Sequence, residues 1–169
     1  FSYPIILSSN IGYAVLSRAG DLSADWSWMG VTYNIGGLYV PPAKVLGPVE
    51  MGVRLGGEAA MLRDHVKRMI HGPGYILTEH EVDGLRVRRR IYAPPRRASL
   101  VQDLEVDGSA ELVIQGVGSL TPYGLLGFTP QSVKVFYDKS INGLIFWSRE
   151  LGYHGVIGCS GKLIGYILD

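Results

Sequence analysis

Residues 78–90 read TEHEVDGLRVRRR, and the Asp83-Gly84 pair at their centre decides how the chain folds. Asp-Gly between two alternating runs is a strong signal for a two-residue hairpin, because both turn positions favour φ > 0. Placing the turn there fixes the register. Val82 faces Leu85, Glu81 faces Arg86, His80 faces Val87, Glu79 faces Arg88 and Thr78 faces Arg89. Farther out, Leu77 faces Arg90, Ile76 faces Ile91 and Tyr75 faces Tyr92. The arginines at 86, 88, 89 and 90 invite a nucleic-acid reading. Arg86 and Arg88, however, meet glutamates across the ladder, and such a pair contributes about 0.2–1 kcal/mol. The whole chain carries 16 Lys+Arg against 15 Asp+Glu, a formal net charge of +1. A domain that depends on phosphate contacts carries a much larger basic excess. The run is therefore expected to be one neutralised face of a strand, with no nucleic-acid partner.

The remaining composition fits an all-β chain. With 169 residues it can bury a core without covalent staples. Glycine is abundant at 23 residues, and only 18% of the chain is charged. Many glycines between short apolar runs predict tight turns between strands. Cys159 is the single cysteine, so no internal disulfide forms, and a reducing, cytoplasmic setting is expected. Its neighbours VIGCS read as a strand, which predicts a buried, inert thiol. No secretory signal is evident, no apolar run is long enough to span a bilayer, and no membrane partner is expected. The chain begins at Phe1 without a methionine and ends just after LIGYIL, so both ends read as cuts from a longer protein.

Outward from the hairpin, the turn signals recur. Ser8-Ser9-Asn10 separates two apolar runs in residues 4–17, and Gly20-Asp21 marks another turn. Pro41-Pro42 stops any ladder there. Residues 59–70 fit both a helix and a strand, since Leu62, Val66 and Ile70 share a face in either; a strand is favoured by the β context. Beyond the hairpin, SLVQDLEV and AELVIQGV flank Asp107-Gly108, read as a second hairpin turn. SVKVFYD, GLIFWS, HGVIGCS and LIGYIL follow as strands, with Asn142-Gly143 and Ser160-Gly161 as turns. Short strands at this spacing predict a sandwich or a barrel.

Several chemistries find little support. His65, His71, His80 and His154 lack ligand-like spacing, and no metal or cofactor is expected. His80 alternates onto the face of Val82, Val87 and Ile91, so it reads as a satisfied, partly buried histidine. There is no G-x-S-x-G, no Walker pattern and no G-x-G-x-x-G on a strand–helix turn. Glu79 and Glu81 lie roughly 7 Å apart on one strand face, a spacing that suggests glycoside chemistry. The arginines facing them would hold both ionised, whereas a general acid needs a raised pKa. No catalytic residue is therefore assigned. The strongest lead is aromatic: Asp25, Trp26, Trp28, Tyr33 and Asn34, with Tyr39 beyond, lie in a turn-rich segment. Aromatic faces stack on sugar rings while Asp and Asn bond hydroxyls, so the first five are the candidate carbohydrate-binding residues. The plainer alternative is that Trp26 and Trp28 plug one end of the sandwich or dock on a neighbouring domain. Tyr75, Leu77 and Tyr92 form a comparable interdomain candidate.

Two blocks carry a family resemblance. SSNIGYAVLSRAGDL, an aromatic segment, and LYVPPAKVLGPVEMGVRLGG resemble the opening of archaeal and bacterial glycogen-debranching enzymes. GPGYILTEHEVDGLRVRRRIYAPPRRASLVQDLEVDGSAEL resembles the β-sandwich that precedes the helical barrel of glucoamylase-like glycoside hydrolases. Together they cover roughly residues 7–112. The debranching opening usually carries an Arg-Tyr-His-Gly-like segment, and here DWSWMGVTYNIGG has no histidine. The resemblance implies an all-β, two-layer antiparallel β-sandwich (a supersandwich, galactose-mutarotase-like) spanning 1–169, with at most one short helix. It also implies an (α/α)6 catalytic barrel of the same parent chain as partner, and α-glucan or a related oligosaccharide as substrate class. The expected role is that of a non-catalytic N-terminal domain. The rivals are a stand-alone carbohydrate-binding module and a barrel holding an apolar ligand.

Overall fold

The computed structural model describes residues 3–24, 34–116, 120–122, 133–162 and 164–167. Among them the chain is all-β, antiparallel and sandwich-like; its one helical element is a 3-10 turn, Leu62–His65.

The central hairpin joins β8 (Tyr75–Val82) to β9 (Leu85–Tyr92). Its register runs from Tyr75↔Tyr92 to Val82↔Leu85, as the turn dictates. Asp83 and Gly84 hold φ of 48° and 84°, the left-handed values that such a turn needs. Burial alternates strictly along both strands, so Ile76, Thr78, His80, Val82, Leu85, Val87, Arg89 and Ile91 share the inner face. With β7 (Val66–Gly72) and β10 (Val101–Val106) the hairpin makes a four-stranded sheet, order β10-β9-β8-β7.

Two other sheets cover opposite ends of that inner face. β1 (Ile5–Ser8), β2 (Tyr13–Leu16), β3 (Gly37–Val40), β4 (Ala43–Leu46) and the short β12 (Thr121–Pro122) form a five-stranded sheet in that order. Leu7, Ala14, Leu16 and Leu46 of this sheet pack with Ile76, Ile91 and Phe146. Phe146 comes from a separate three-stranded sheet of β13 (Lys134–Asp138), β14 (Gly143–Ser148) and β15 (Tyr153–Gly158). At the turn end, β5 (Val49–Arg54) sits between β6 (Ala59–Met61) and β11 (Glu111–Gly116). Its Met51 and Val53 pack on Leu62, Val82, Leu85 and Val87 as a second cluster. Each such aliphatic side chain contributes about 1.5–3 kcal/mol when fully buried.

A polar stratum lies between the two clusters. Arg89, on the apolar parity of β9, is 1% exposed and reaches Asp21, also 1% exposed. Its Nη1 donates to Asp21 Oδ1 at 2.6 Å, its Nε to Gln102 Oε1 at 2.8 Å, and Nη1 also lies 3.5 Å from the Ala19 carbonyl. Burial lowers the Arg89 pKa while Asp21 opposes that shift. Gly20 lets the 17–21 loop approach: a Cβ there would sit 2.4 Å from Ile91 Cδ1, at a φ of 88°. Beside it, His80 Nδ1 donates to the Leu62 carbonyl at 2.8 Å, so Nε2 accepts from the Thr78 hydroxyl at 2.8 Å. The satisfied histidine expected from the alternation is thus present, and fully buried at 2% exposure. Desolvation, chiefly, lowers its pKa below 6.5; the Leu62 hydrogen bond opposes this, and the charges of Arg89 and His65 add to it.

The structure corrects four expectations. Asp107-Gly108 does not close a hairpin: β10 pairs with β9 and β11 with β5, so the chain turns a corner between sheets there. Asp107 N still bonds Arg86 O at 2.9 Å, which carries the β9 ladder past the end of β10. Residues 164–167 of LIGYIL are in no strand and are exposed. Cys159 is exposed, because it lies one residue beyond the end of β15. Glu81 faces Arg86 in register, but its ion pair is to Lys67 at 4.0 Å. Residues 59–70 are largely strand, as favoured, interrupted by the 3-10 turn that delivers Leu62 to the second cluster.

Arg89→Met would strand the Asp21 carboxylate in the interior. The expected loss is about 3–5 kcal/mol in urea denaturation, with most of it recovered when Asp21→Leu is added. A loss below about 1 kcal/mol for Arg89→Met would contradict the role given to the pair. For His80 the unfolded chain binds a proton at about pH 6.5 and the folded chain only at lower pH. Stability is therefore fully present above that value and falls on acidification, by at most about 1.4 kcal/mol per pH unit. The fall between pH 6.5 and 5 should be shallower in His80→Gln; equal slopes would show that another group carries it.

Candidate functional site

The aromatic segment singled out in the sequence is tied at its base by Asn34. Its Oδ1 accepts from Ala24 N at 2.9 Å and Gly36 N at 2.8 Å, and its Nδ2 donates to Ser23 Oγ at 2.8 Å. Ile35 N adds a bond to the Ala24 carbonyl at 3.0 Å. Asparagine suits this post because its amide oxygen can take the place of a backbone carbonyl two residues before the bonded N–H. Gly36 is required by crowding: a Cβ there would lie 2.4 Å from Ser23 Cα. Leu22 extends the anchor to β5, with Leu22 N to Val49 O at 2.9 Å and Val49 N to Leu22 O at 3.1 Å. Of the five candidate sugar-contacting residues, Asp25, Trp26, Trp28 and Tyr33 lie outside the described residues. Asn34 is described, and its amide is largely committed to this neck.

Next to the neck, the outer face of the five-stranded sheet carries a row of Tyr13, Tyr39 and Lys44, set by the pairings Tyr13↔Tyr39 and Tyr39↔Lys44. The tyrosine rings stack at 4.9 Å with a 6° interplanar angle. Tyr39 Oη donates to the Ile35 carbonyl at 2.7 Å, which joins the row to the neck. Lys44 Nζ sits 5.5 Å from the Tyr39 ring centre and 3.5 Å from the Asn34 carbonyl. Its stem crosses Gly37, where a Cβ would meet Lys44 Cε at 2.4 Å. Burial lowers the Lys44 pKa from 10.5 to about 8. The amine remains mostly protonated near neutral pH and serves as a hydrogen-bond donor beside aromatic faces. Lys44 was not a sequence candidate; the signal was a lone lysine inside PPAKVL, flanked by Ala43, Val45 and Leu46.

The outer face of the four-stranded sheet is less promising. A hollow of about 580 Å³ is lined by Lys67, Arg86 and Arg88 together with Glu79, Glu81 and Glu105, among others. Arg88 bridges Glu79 at 3.3 Å and Glu105 at 3.6 Å. Arg90 lies 5.5 Å from the Tyr75 ring and 5.6 Å from the Tyr92 ring. Mixed signs and shared partners leave no field suited to a polyanion. On β14, Trp147 stands between Lys134 and His154, at 5.8 Å and 6.3 Å, so neighbours flank it within the row. Among the described residues no group of three or more His, Cys, Asp or Glu could hold a metal ion, and no helix is long and apolar enough to cross a membrane.

Comparison with protein-family models, curated proteins and solved structures yields no match.

The burial of Lys44 has a direct readout. In a reductively methylated chain, the Lys44 methyl resonance should titrate with a midpoint of about 8. Titration at the ordinary lysine value of about 10.4 would mean that the amine reaches water.

Proposed function

We propose that this chain is a non-catalytic β-sandwich domain of a glycoside hydrolase acting on α-glucan or a related oligosaccharide. In this reading it braces a helical (α/α)6 catalytic barrel and lends the aromatic segment 25–33 to the substrate cleft. The carboxylates that break the glycosidic bond belong to the barrel. The observation that carries the reading is the Asn34 neck, which ties Ser23 and Ala24 to Asn34 and Gly36, the described residues on either side of an Asp/Trp/Tyr-rich segment. Binding residues belong on loops held by a scaffold, and this neck supplies the hold. The likeness of residues 7–112 to debranching and glucoamylase-like enzymes supplies the substrate class.

The Tyr13–Tyr39–Lys44 row beside the neck favours a second reading, a stand-alone carbohydrate-binding module. Stacked rings and a donor amine in one row resemble the furniture of a sugar subsite. Titration of maltooligosaccharides into the purified 169-residue chain separates the two. The bracing domain shows neither hydrolysis nor saturable binding. Saturable binding that disappears in Trp26→Ala or Trp28→Ala transfers the assignment to the module, and hydrolysis by this chain would end both.

A further inference from the structure

We propose that β11 is a self-pairing edge, through which two copies of this chain join antiparallel about a two-fold axis at Val113. Edge strands offer unpaired N–H and C=O groups, and folded proteins normally blunt them. Of the other edges among the described residues, all but β15 are blunted, and β15 (YHGVIG) has glycine at two of its six positions, which leaves fewer side chains to pair across a junction. β7 carries a register shift between Val66 and Arg68, with Lys67 inside it. β10 presents Asp103 and Glu105, β13 presents Lys134, and β1, β6 and β12 are at most four residues long. β11 is six residues, ELVIQG, without proline, lysine or a register shift, and among the described residues it pairs only with β5.

Its side chains point the same way. Leu112 and Ile114 pair with Val53 and Met51, so all four share one face of the sheet. Val53 and Met51 are core residues, yet Leu112 is 43% and Ile114 39% exposed. Among the described residues the second cluster therefore ends at an exposed rim. What covers it is written in the strand, which is its own complement. About Val113, Leu112 comes opposite Ile114 of the second copy, and Glu111 opposite Gln115 of the second copy. The apolar pairs extend the Met51–Val53 face across the junction. On the other face, each Glu111 carboxylate already meets its own Arg54 at 3.3 Å and gains the facing Gln115 amide as a second donor. No like charges come opposite each other, and the symmetry doubles each pair, as an isologous interface requires. The product is a continuous six-stranded sheet, β6-β5-β11 followed by its two-fold mate.

Sedimentation equilibrium of the 169-residue chain over a concentration series tests the proposal. A monomer–dimer equilibrium is expected. Ile114→Lys, which places like charges in the apolar row, should raise its dissociation constant roughly 100-fold. Phe136→Lys, on the separate β13 surface, should leave it unchanged. In a Cys159→Ser background, Val113→Cys should give a covalent dimer with a short bis-maleimide, because the axis brings that position against itself. If Ile114→Lys fails to fold by circular dichroism, the Val113→Cys cross-link alone decides. A chain that stays monomeric, a dimer indifferent to Ile114→Lys while that variant folds, or the absence of cross-linking at position 113 would overturn the assignment.

Discussion

The buried Asp21–Arg89 ion pair is the constraint around which the sandwich is arranged. It lies where an all-apolar design would place one more aliphatic residue, between Val87 and Ile91 on β9. A guanidinium cannot be left alone there, since an unpaired buried charge costs several kcal/mol. The 17–21 loop must therefore come to it, and Gly20 makes the approach sterically possible. Gln102 from β10 occupies Nε, so one arginine fixes a loop and a neighbouring strand together. The adjoining Thr78–His80–Leu62 chain does the same for the 3-10 turn. The stratum separates two apolar clusters that belong to different covering sheets. Its directional bonds set how those sheets register on the hairpin, which hydrophobic burial alone does not specify.

The same alternation that buries Arg89 exposes Arg86, Arg88 and Arg90 on the opposite face. There the physics reverses. Arg88 bridges Glu79 and Glu105, and Arg90 lies against the Tyr75 and Tyr92 rings. Arg86 is exposed, its facing Glu81 being paired with Lys67. In high dielectric such contacts contribute little to stability. The basic run is thus divided between one interior arginine that organises the fold and three surface arginines in a mixed-sign face. The surface with more chemical character is the outer face of the five-stranded sheet. The Asn34 neck, two stacked tyrosines and a desolvated lysine meet there.

Much of this was legible residue by residue. Asp83-Gly84 fixes eight cross-strand pairs because a two-residue turn leaves no freedom in register. Asn142-Gly143 marks a reversal correctly but not its length: β13 and β14 are joined by the four residues 139–142, with Asn142 at φ 47° and Gly143 already paired to Asp138. Asp107-Gly108 misleads because the dipeptide reports only a change of direction. Whether the next strand returns to its neighbour or crosses to another sheet depends on which apolar face it must cover. Here β11 follows the Met51–Val53 face of β5, away from β10. Cys159 and LIGYIL mislead for a related reason: apolar composition does not extend a ladder past the last available partner. The neck role of Asn34 was hidden because its partners, Ser23 and Ala24, lie across a segment whose ends meet only in the fold.

By itself, then, the sequence determined the all-β character, the central hairpin with its register, and the division of residues 75–92 into two faces. These follow from period-two alternation and turn stereochemistry, which act over a few residues. The tertiary structure decided which polar residue on the inner face found its counter-charge, which sheet covered each end of the hairpin, and which lysine lost its water. Those outcomes depend on groups as far apart as Asp21 and Arg89, and no local pattern encodes a distance of 68 residues.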